Sequence, residues 1–588
     1  MALSHLCQLQ IFRVQVGSGA TALAKAQARC LNHYPNAAHR GDGMRTSDSN
    51  DTFDFIVSGA GSAGAVVAAR LSESGRYRVL LLEAGPPDTN PWIHIPLGFA
   101  KTYVDERVNW KFQSAPQPQF NNRSIYVPRG KTLGGTSSIN GMVYMRGHPQ
   151  DYNDWRQRGC VGWDWDSVLP FFKKAENQQR GASPLHGVGG PLNVSDPVAR
   201  SQLADAMISA AESLGIPRID DFNGPQQEGV GYYQTTTARS RRWSTAKAYL
   251  EPARSRRNLI VRPRCQSTRI LIENNRAVGV EYHSSGGRRM ARARAEVIVS
   301  GGAYGSPHLL QLSGLGPAAH LRHLGITVVR DMEAVGSNLH DHFSTYLMWR
   351  CSRPITMNDL ENSWARKFLA AIRYGITRSG PMAGNGIQSG LFTRSDPRLE
   401  RPDIQINLLE WSTLERSKNR VTPHPFPGFT LGPVHLAPDG RGTVRLASPD
   451  PLAAPEITFG FLGSDYDMRA MLSAITLARE IAAQPALRSY AVAEIVPGLH
   501  VGSEGELENF VRQTGVTNHH PSSSCAMGTG SNSVVDPRLR VHGVGGLRVA
   551  DASVMPSVVA GNTNAPSIMI GEKAAAMILE DAERTVAS

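Results

Sequence analysis

The segment from residue 53 to residue 83 constrains the fold more than any other part of the chain. Residues 53–57 form a short apolar run typical of a strand, and residues 65–71 have the apolar face of a helix. Between them the glycines of a GxGxxG motif permit a tight turn, and helix N-terminal amides can bind a pyrophosphate. The predicted dinucleotide-binding residues of this motif are Gly59, Gly61, Ser62, Ala63 and Gly64.

An acidic residue stands where a dinucleotide fold needs one. A second apolar run at residues 78–82 ends at Glu83, which follows Gly64 by 19 residues. A carboxylate at this spacing accepts hydrogen bonds from an adenosine ribose. The acid favours NAD or FAD over NADP.

Composition excludes several other classes of protein. The chain has 588 residues, of which 41% are hydrophobic, so two or more globular units are expected and a disordered chain is excluded. No apolar run is long enough for a membrane-spanning helix. The net charge of +12 is scattered, and we expect no specific nucleic-acid partner. Six distant cysteines without CxxC spacing argue against disulfides and a metal site, and favour a reducing compartment.

Residues 1–50 differ in composition from the rest of the chain. They contain five Lys and Arg residues, and no acidic residue precedes Asp42. This pattern is typical of a transit peptide, or of a wrongly assigned start with Met44 as the initiator. We therefore expect residues 1–50 to be a disordered or mis-assigned N-terminal extension. We predict a cytoplasmic protein, and leave open peripheral membrane contact and organelle targeting by residues 1–43.

Several motifs in order carry a family resemblance. Residues 128–141 and 301–317 resemble the two signatures of the glucose–methanol–choline oxidoreductases, which are FAD enzymes. Residues 162–165, 186–192, 335–342 and 562–566 also match, so the resemblance spans about residues 53–582. It is closest to the choline-dehydrogenase-like branch.

The resemblance implies further FAD-binding positions. The loop of small residues and hydroxyls at 134–138 can lie against phosphates or a flavin edge. Some relatives attach FAD covalently to a histidine where this chain has Ile139, so we expect non-covalent FAD. Ser306 and Pro307 read as an N-cap followed by the first residue of a helix. The implied positions are Gly134, Gly135, Thr136, Ser137, Asn140, Gly141, Asp551, Ala552, Asn562 and Thr563.

The resemblance also implies a catalytic pair. His520 precedes Pro521 in the family's active-site stretch and is the predicted base for the alcohol proton, while His519 shapes the pocket. By motif register the second partner is Asn564, which would hydrogen-bond the substrate oxygen. A slip of register to Asn562 is the alternative.

The expected fold is an α/β FAD-binding Rossmann-like domain with an α+β substrate domain built on an antiparallel sheet. The FAD domain is discontinuous, over residues 53–150, 240–341 and 516–582, and the substrate domain takes residues 151–239 and 342–515. Strand-like alternation at 404–408 and 443–446 suits that antiparallel sheet.

The predicted function is FAD-dependent oxidation of an alcohol to an aldehyde or ketone, with a quinone or oxygen as electron acceptor. A choline site would need an aromatic cage and a carboxylate. Glu410, Trp411 and Trp349 are candidates, but Gly141 replaces a serine of some choline oxidisers, so a generic primary alcohol is favoured. A hydroxynitrile-lyase-like protein and an inert flavin protein are the alternatives. The oligomeric state stays open.

Overall fold

Two large sheets organise the chain, and the computed structural model describes them within residues 51–198 and 200–587. The predictions for residues 1–50 lie outside these residues. The described residues form one compact unit, and its division into two domains stays a prediction.

The first sheet is parallel at its centre and antiparallel at one side. Thr52–Ser58 runs parallel to both of its neighbours, and Phe55 and Ile56, which point to opposite faces, are both fully buried, as in strands covered on both faces. The order is Leu259–Arg262, Val79–Leu82, Thr52–Ser58, Gly287–Val299, Arg276–Ser284 and Gln266–Glu273, with Leu547–Val549 paired to Gly287–Val299. The predicted strands at 53–57 and 78–82 are confirmed.

Two helices pack against each other beside this sheet. Gly64–Leu71 confirms the predicted helix, and Asn564–Ala587 crosses it closely. A Cβ at Gly571 would lie 2.8 Å from the Ala63 carbonyl oxygen, so only glycine permits this approach. The buried Glu572 carboxylate pairs with Arg70 at 2.8 Å and fixes the crossing.

The second sheet is antiparallel. Its order is Ala491–Val496, Leu347–Cys351, Gly428–His435, Ile404–Leu409, Ser389–Thr393 and Gly229–Tyr232, with Phe343–Ser344 joining Gly428–His435 to Val516–Thr517. The predicted strand at 404–408 is confirmed as Ile404–Leu409, although it is buried on both faces and does not alternate. The predicted strand at 443–446 forms as Thr443–Arg445, but its expected place in this sheet is wrong, because it pairs with Glu456–Thr458 in a separate two-stranded sheet.

The helix predicted to begin at Pro307 begins earlier, and that prediction is wrong. Gly302–Leu312 contains Pro307 in its interior. Pro307 has no N–H to donate to the Ala303 carbonyl, and the Ser524 hydroxyl donates to that carbonyl at 2.6 Å. Ser306 instead donates its hydroxyl to Asp551 at 2.5 Å.

The remaining helices divide between the two sheets: Trp165–Ala175 packs on Asn564–Ala587 beside the first sheet, whereas Gln202–Ser213 and Asp465–Ala483 pack on the second. The longer ones are Pro149–Gln157, Trp165–Ala175, Gln202–Ser213, Trp364–Thr377, Asp465–Ala483 and Glu504–Thr514. Within the described ranges, no helix has the length and apolar content needed to cross a bilayer. Four cysteines of these ranges are buried free thiols: Cys160, Cys265, Cys351 and Cys525.

Candidate active site

A cavity of about 360 Å³ lies where the parallel strands of the first sheet end. Ligands of such sheets bind beyond the carboxyl ends of the strands. The chain leaves Thr52–Ser58 into Gly59, Val79–Leu82 into Glu83, and Leu547–Val549 towards Asp551. Of the predicted cofactor residues, those lining this cavity are Gly59, Gly61, Ser62, Ala63, Glu83, Gly135, Thr136, Asp551 and Ala552.

Three other predicted residues support the lining without being part of it. A Cβ at Gly64 would lie 1.9 Å from the Gly59 carbonyl oxygen, so Gly64 lets the helix approach the turn. Ser137 donates its hydroxyl to the Gly134 carbonyl at 2.6 Å and holds the second loop in shape.

The two Gly-rich loops touch and leave room for a ligand. A Cβ at Gly135 would lie 2.7 Å from the Cα atom of Gly61, whereas a Cβ at Gly61 would meet no protein atom within 4 Å. Gly61 therefore presents bare backbone to the cavity. This arrangement fits the pyrophosphate of a dinucleotide.

Glu83 is placed to bind a ribose. Its two carboxylate oxygens accept hydrogen bonds from the Ala60 amide at 3.0 Å and the Gly85 amide at 2.8 Å. Each oxygen keeps a further lone pair for a ribose hydroxyl. Burial raises the pKa of Glu83 to about 7, opposed by these two amides.

A second cavity, of about 190 Å³, adjoins the first. Both are lined by Ser62, Arg129, Thr136, Ala552 and Ser567. The second cavity lies between the loop at 135–143 and the antiparallel sheet. The predicted residues that line it are Asn140, Gly141, His520, Asn562, Thr563 and Asn564, together with Ile139 and His519.

His520 is a buried imidazole held on both ring nitrogens. Its Nδ1 atom lies 2.9 Å from Nδ1 of His342, and its Nε2 atom lies 2.9 Å from the Asn562 amide nitrogen. Because that amide donates to Nε2, the ring proton belongs on Nδ1, directed at His342. Burial, and then the charges of neighbouring His342, His519 and Arg129, lower the pKa of His520 well below 6.5. A neutral imidazole of this kind can accept a proton.

The amide beside His520 is Asn562, whereas the motif register predicted Asn564. Asn564 begins the helix Asn564–Ala587, and its side-chain oxygen accepts a hydrogen bond from the Ser62 hydroxyl at 2.8 Å. The helix start turns Asn564 towards the GxGxxG loop, and Asn562, two residues earlier, reaches the histidine. The Asn562 Oδ1 atom is buried and has no hydrogen-bond partner among the residues that the structure describes.

Two residues behind His520 were not predicted. The buried Asp341 carboxylate accepts hydrogen bonds from the His520 and His342 amides, both at 2.8 Å. Burial raises the pKa of Asp341 to about 7 and lowers that of His342 to about 3. Both residues lie in the stretch 335–342 that matches the family, which was the signal available in the sequence, but the match did not assign a function to either side chain.

Two arginines in the site were also not predicted. Arg129 donates to the His519 carbonyl at 2.9 Å, and Arg416 lies 3.5 Å from the His519 ring. His519 thus connects two cations, and its side chain lines the cavity. Nothing in the local sequence around Arg416 points to the site, because it reaches the cavity from the strand Thr413–Arg416.

The candidate residues for a choline cage do not meet. Trp411 lines the second cavity, but the preceding Glu410 lines a third cavity of about 320 Å³. Trp349 is buried and stacks on Phe429, and lines neither cavity. Their geometry gives no cage of aromatics and carboxylate beside His520.

Comparisons with known proteins agree with this architecture. The model of the GMC oxidoreductase family matches residues 53–344, and its C-terminal counterpart matches residues 438–571. The chain is 41% identical over 541 residues to the mitochondrial choline dehydrogenase of Mus musculus, covering 90% of each chain. It is 41% identical over 528 residues to the oxygen-dependent choline dehydrogenase of Brucella melitensis, covering 90% of this chain and 95% of the relative.

A solved structure is similar over most of the chain. Pyridoxine 4-oxidase from Mesorbium loti superposes with a TM-score of 0.81 at 30% identity, covering 90% of this chain and 99% of that one. The chain therefore belongs to the GMC oxidoreductase family and is an FAD-dependent oxidoreductase acting on the CH–OH group of donors.

Proposed function

We propose that the enzyme oxidises an alcohol whose hydroxyl lies between His520 and Asn562. The observation that carries the proposal is the 2.9 Å contact between His520 Nε2 and the Asn562 amide, in a cavity continuous with the dinucleotide cavity. A single hydroxyl oxygen can contact two groups this close together. Bound FAD supplies the two-electron acceptor that takes the hydride from the alcohol carbon.

His520 is the proposed base. Its neutral form has one lone pair on Nε2, which the Asn562 amide occupies until it turns to the substrate oxygen and leaves the lone pair for the hydroxyl proton. His342 holds the other ring nitrogen, so the ring cannot rotate away. The hydroxyl proton passes to Nε2 as the carbon–hydrogen bond breaks. A positioned base of this kind contributes roughly 10²–10⁴-fold in rate.

Asn562 is the proposed orienting group, in place of Asn564. An amide donates a hydrogen bond to the substrate oxygen and does not compete for its proton. Its buried Oδ1 atom has no hydrogen-bond partner among the described residues and is free to accept a hydrogen bond from a donor on a bound ligand.

The FAD is proposed to bind without a covalent bond. The side chain of Ile139 is a hydrocarbon that packs with Ile93 and Val108, and it offers no nucleophile at the position where some relatives are linked. The proposed electron acceptor is a quinone or oxygen, and anaerobic reduction followed by addition of each distinguishes them.

The direct experiment is anaerobic bleaching of the bound flavin by a panel of primary alcohols. The proposal expects bleaching by at least one alcohol and formation of the aldehyde. A flavin that no alcohol reduces would contradict it and favour the alternatives of a lyase-like or inert flavin protein.

A further inference from the structure

The cavity beside His520 carries positive charge and no carboxylate. Arg129 and Arg416 line it, and within residues 51–198 and 200–587 no Asp or Glu does. Neither arginine forms an ion pair with any acid in the part of the chain that the structure describes. The buried Asp341 acts electrostatically on Arg129, so Arg416 is the guanidinium that faces this small cavity without a counter-charge from the described residues.

Two tyrosines hold Arg416 in place, and no acid among the described residues neutralises its charge. Its Nε donates to the Tyr103 hydroxyl at 3.2 Å, and the guanidinium lies 4.8 Å from the Tyr103 ring centroid and 5.0 Å from that of Tyr346. The residue is exposed at the cavity. The two rings orient the planar guanidinium, and the N–H groups not directed at Tyr103, Tyr346 and the His519 ring remain for a ligand.

The two arginines differ in what they can contact. Arg129 lines both cavities and so lies beside the cofactor space as well. Arg416 lines the second cavity and not the first. Arg416 is therefore the cation available to the substrate.

We propose that the substrate is an alcohol that also carries an anionic group, such as a carboxylate, and that Arg416 binds this anion. The inference rests on the proposed alcohol oxidation at His520. A carboxylate matches the planar donor pair of arginine, whereas a cationic alcohol would face like charges. Choline, the alcohol named in the relatives' names, is a cation. Arg416 thus sets a preference for a substrate of the opposite charge.

The test compares three matched benzyl alcohols with the holoenzyme: 4-(hydroxymethyl)benzoate, 4-methylbenzyl alcohol and a 4-trimethylammonio benzyl alcohol. A linear series of a hydroxyalkanoate, the n-alcohol and choline repeats the comparison. The measurement is anaerobic flavin reduction by stopped flow. The anionic members should give the highest ratio of reduction rate to dissociation constant.

Variants assign this preference to Arg416. Arg416→Gln should lower the ratio for the anionic member about 10–100-fold, as loss of a charge-assisted hydrogen bond does, and change the neutral member little. Arg416→Lys should retain part of the preference. The control is Arg420→Gln, in the turn that joins Thr413–Arg416 to Val421–Pro423 and not lining the cavity, which should change no ratio.

Two results would overturn the inference. Preference for the cationic members, or an anionic preference unchanged in Arg416→Gln, would contradict it while the alcohol oxidation stands. If no member of either series reduces the flavin, the proposed function itself fails and the inference with it.

A separate observation concerns the helix Trp364–Thr377. It exposes five large apolar side chains, with Trp364 80% and Ile376 78% accessible, while its buried residues are Ala370 and Tyr374. At 3.6 residues per turn the apolar group falls on the side opposite the buried pair. The five residues, called here the apolar face, are Trp364, Phe368, Leu369, Ile372 and Ile376.

Basic residues border the apolar face. Arg366 and Arg373 lie along one side and Lys367 along the other, and the helix contains no Asp or Glu. Two acids just before the helix contact this group: Glu361 lies 3.1 Å from Lys367 and Asp359 lies 3.8 Å from Arg366. Arg373 has no acid partner in the described chain, so the border stays positive.

We infer that the apolar face docks in the plane of an anionic lipid bilayer. Apolar residues with a basic border are the pattern of helices that lie at a membrane interface. Pairing with a second copy would bring Arg366 and Arg373 of both copies together, which like charge opposes. Arg373 also lines the third cavity, which shares Met142 with the cavity of His520, so docking brings the third cavity close to lipid.

Flotation of the full-length holoenzyme with phosphatidylcholine vesicles, with and without phosphatidylglycerol, tests this surface. Binding should require phosphatidylglycerol and weaken in high salt. The double variant Trp364→Ser/Ile376→Ser should bind at least tenfold more weakly, and Lys367→Glu/Arg373→Glu should reduce binding with the apolar face intact. The control is Leu499→Ser, since Leu499 is 76% exposed elsewhere on the surface.

The flavin content of each variant reports whether it has folded. No flotation of the native holoenzyme would overturn the inference, as would equal flotation of the native chain and both double variants. A dimer that dissociates in Trp364→Ser/Ile376→Ser would also overturn it, because a second copy would then cover the face.

Discussion

Replacing Asn562 and Asn564 separately by alanine tests the contacts around His520. Asn562 donates to His520 Nε2 at 2.9 Å, and Asn564 accepts from the Ser62 hydroxyl at 2.8 Å. If Asn562 orients the substrate oxygen, Asn562→Ala removes one hydrogen bond of about 1–3 kcal/mol from the reacting complex. The rate of flavin reduction should then fall about 5–150-fold.

Asn564→Ala should act on the cofactor instead. It removes the acceptor of Ser62 in the GxGxxG loop, so FAD should bind several-fold more weakly, with the reduction rate at saturating FAD nearly unchanged. The assay is anaerobic stopped-flow reduction at saturating alcohol, together with FAD titration of each apo-protein. A larger loss of reduction rate in Asn564→Ala than in Asn562→Ala would refute the assignment of Asn562.

Three further predictions concern the cofactor and the base. Glu83→Gln should weaken FAD binding about 10–100-fold, since a carboxylate hydrogen bond to a ribose is charge-assisted, and titration of the apo-protein measures the change. The pKa of His520 is lowered below 6.5, so the reduction rate should hold as pH falls to about 6.5 and decline only in more acid buffer. Because the folded-state pKa is lowered, the unfolded state binds a proton at His520 more readily than the folded state does. The free energy of unfolding should therefore be unaffected by His520 above pH 6.5 and should fall as the pH drops below 6.5. Urea unfolding should show a smaller fall in stability with acid in His520→Asn than in the native chain. Acid precipitation should release all of the flavin into the supernatant, and yellow colour in the pellet would contradict non-covalent binding.

The sequence predicted the dinucleotide part well because its signals are local. A strand, a GxGxxG turn, a helix and Glu83 follow one another within about thirty residues, and each is dictated by its own residues. The structure keeps this order and brings Glu83 to the Ala60 amide. The antiparallel sheet was predicted only through the resemblance and one strand, since it joins segments from residue 229 to residue 517.

The substrate side of the site could not be predicted from local pattern. Arg416 reaches the cavity from a short strand pair, and Asp341 and His342 reach His520 across more than 170 residues. Which of Asn562 and Asn564 faces the histidine depends on where the last helix starts, a boundary that sequence patterns place poorly. The start of the helix Gly302–Leu312 was misplaced at Pro307 for the same reason, that a distant residue decides it. Pro307 cannot donate to the Ala303 carbonyl, and the Ser524 hydroxyl donates to that carbonyl instead.

The most direct test of proton transfer to His520 is anaerobic flavin reduction in His520→Ala at saturating alcohol, with His519→Ala as the matched control. His520→Ala should keep its FAD, because His520 lines the second cavity and not the dinucleotide cavity, and should lose about 10²–10⁴-fold in reduction rate. His519→Ala should lose much less. Near-normal reduction in His520→Ala, with or without a collapse in His519→Ala, would contradict the assignment of His520 as the base.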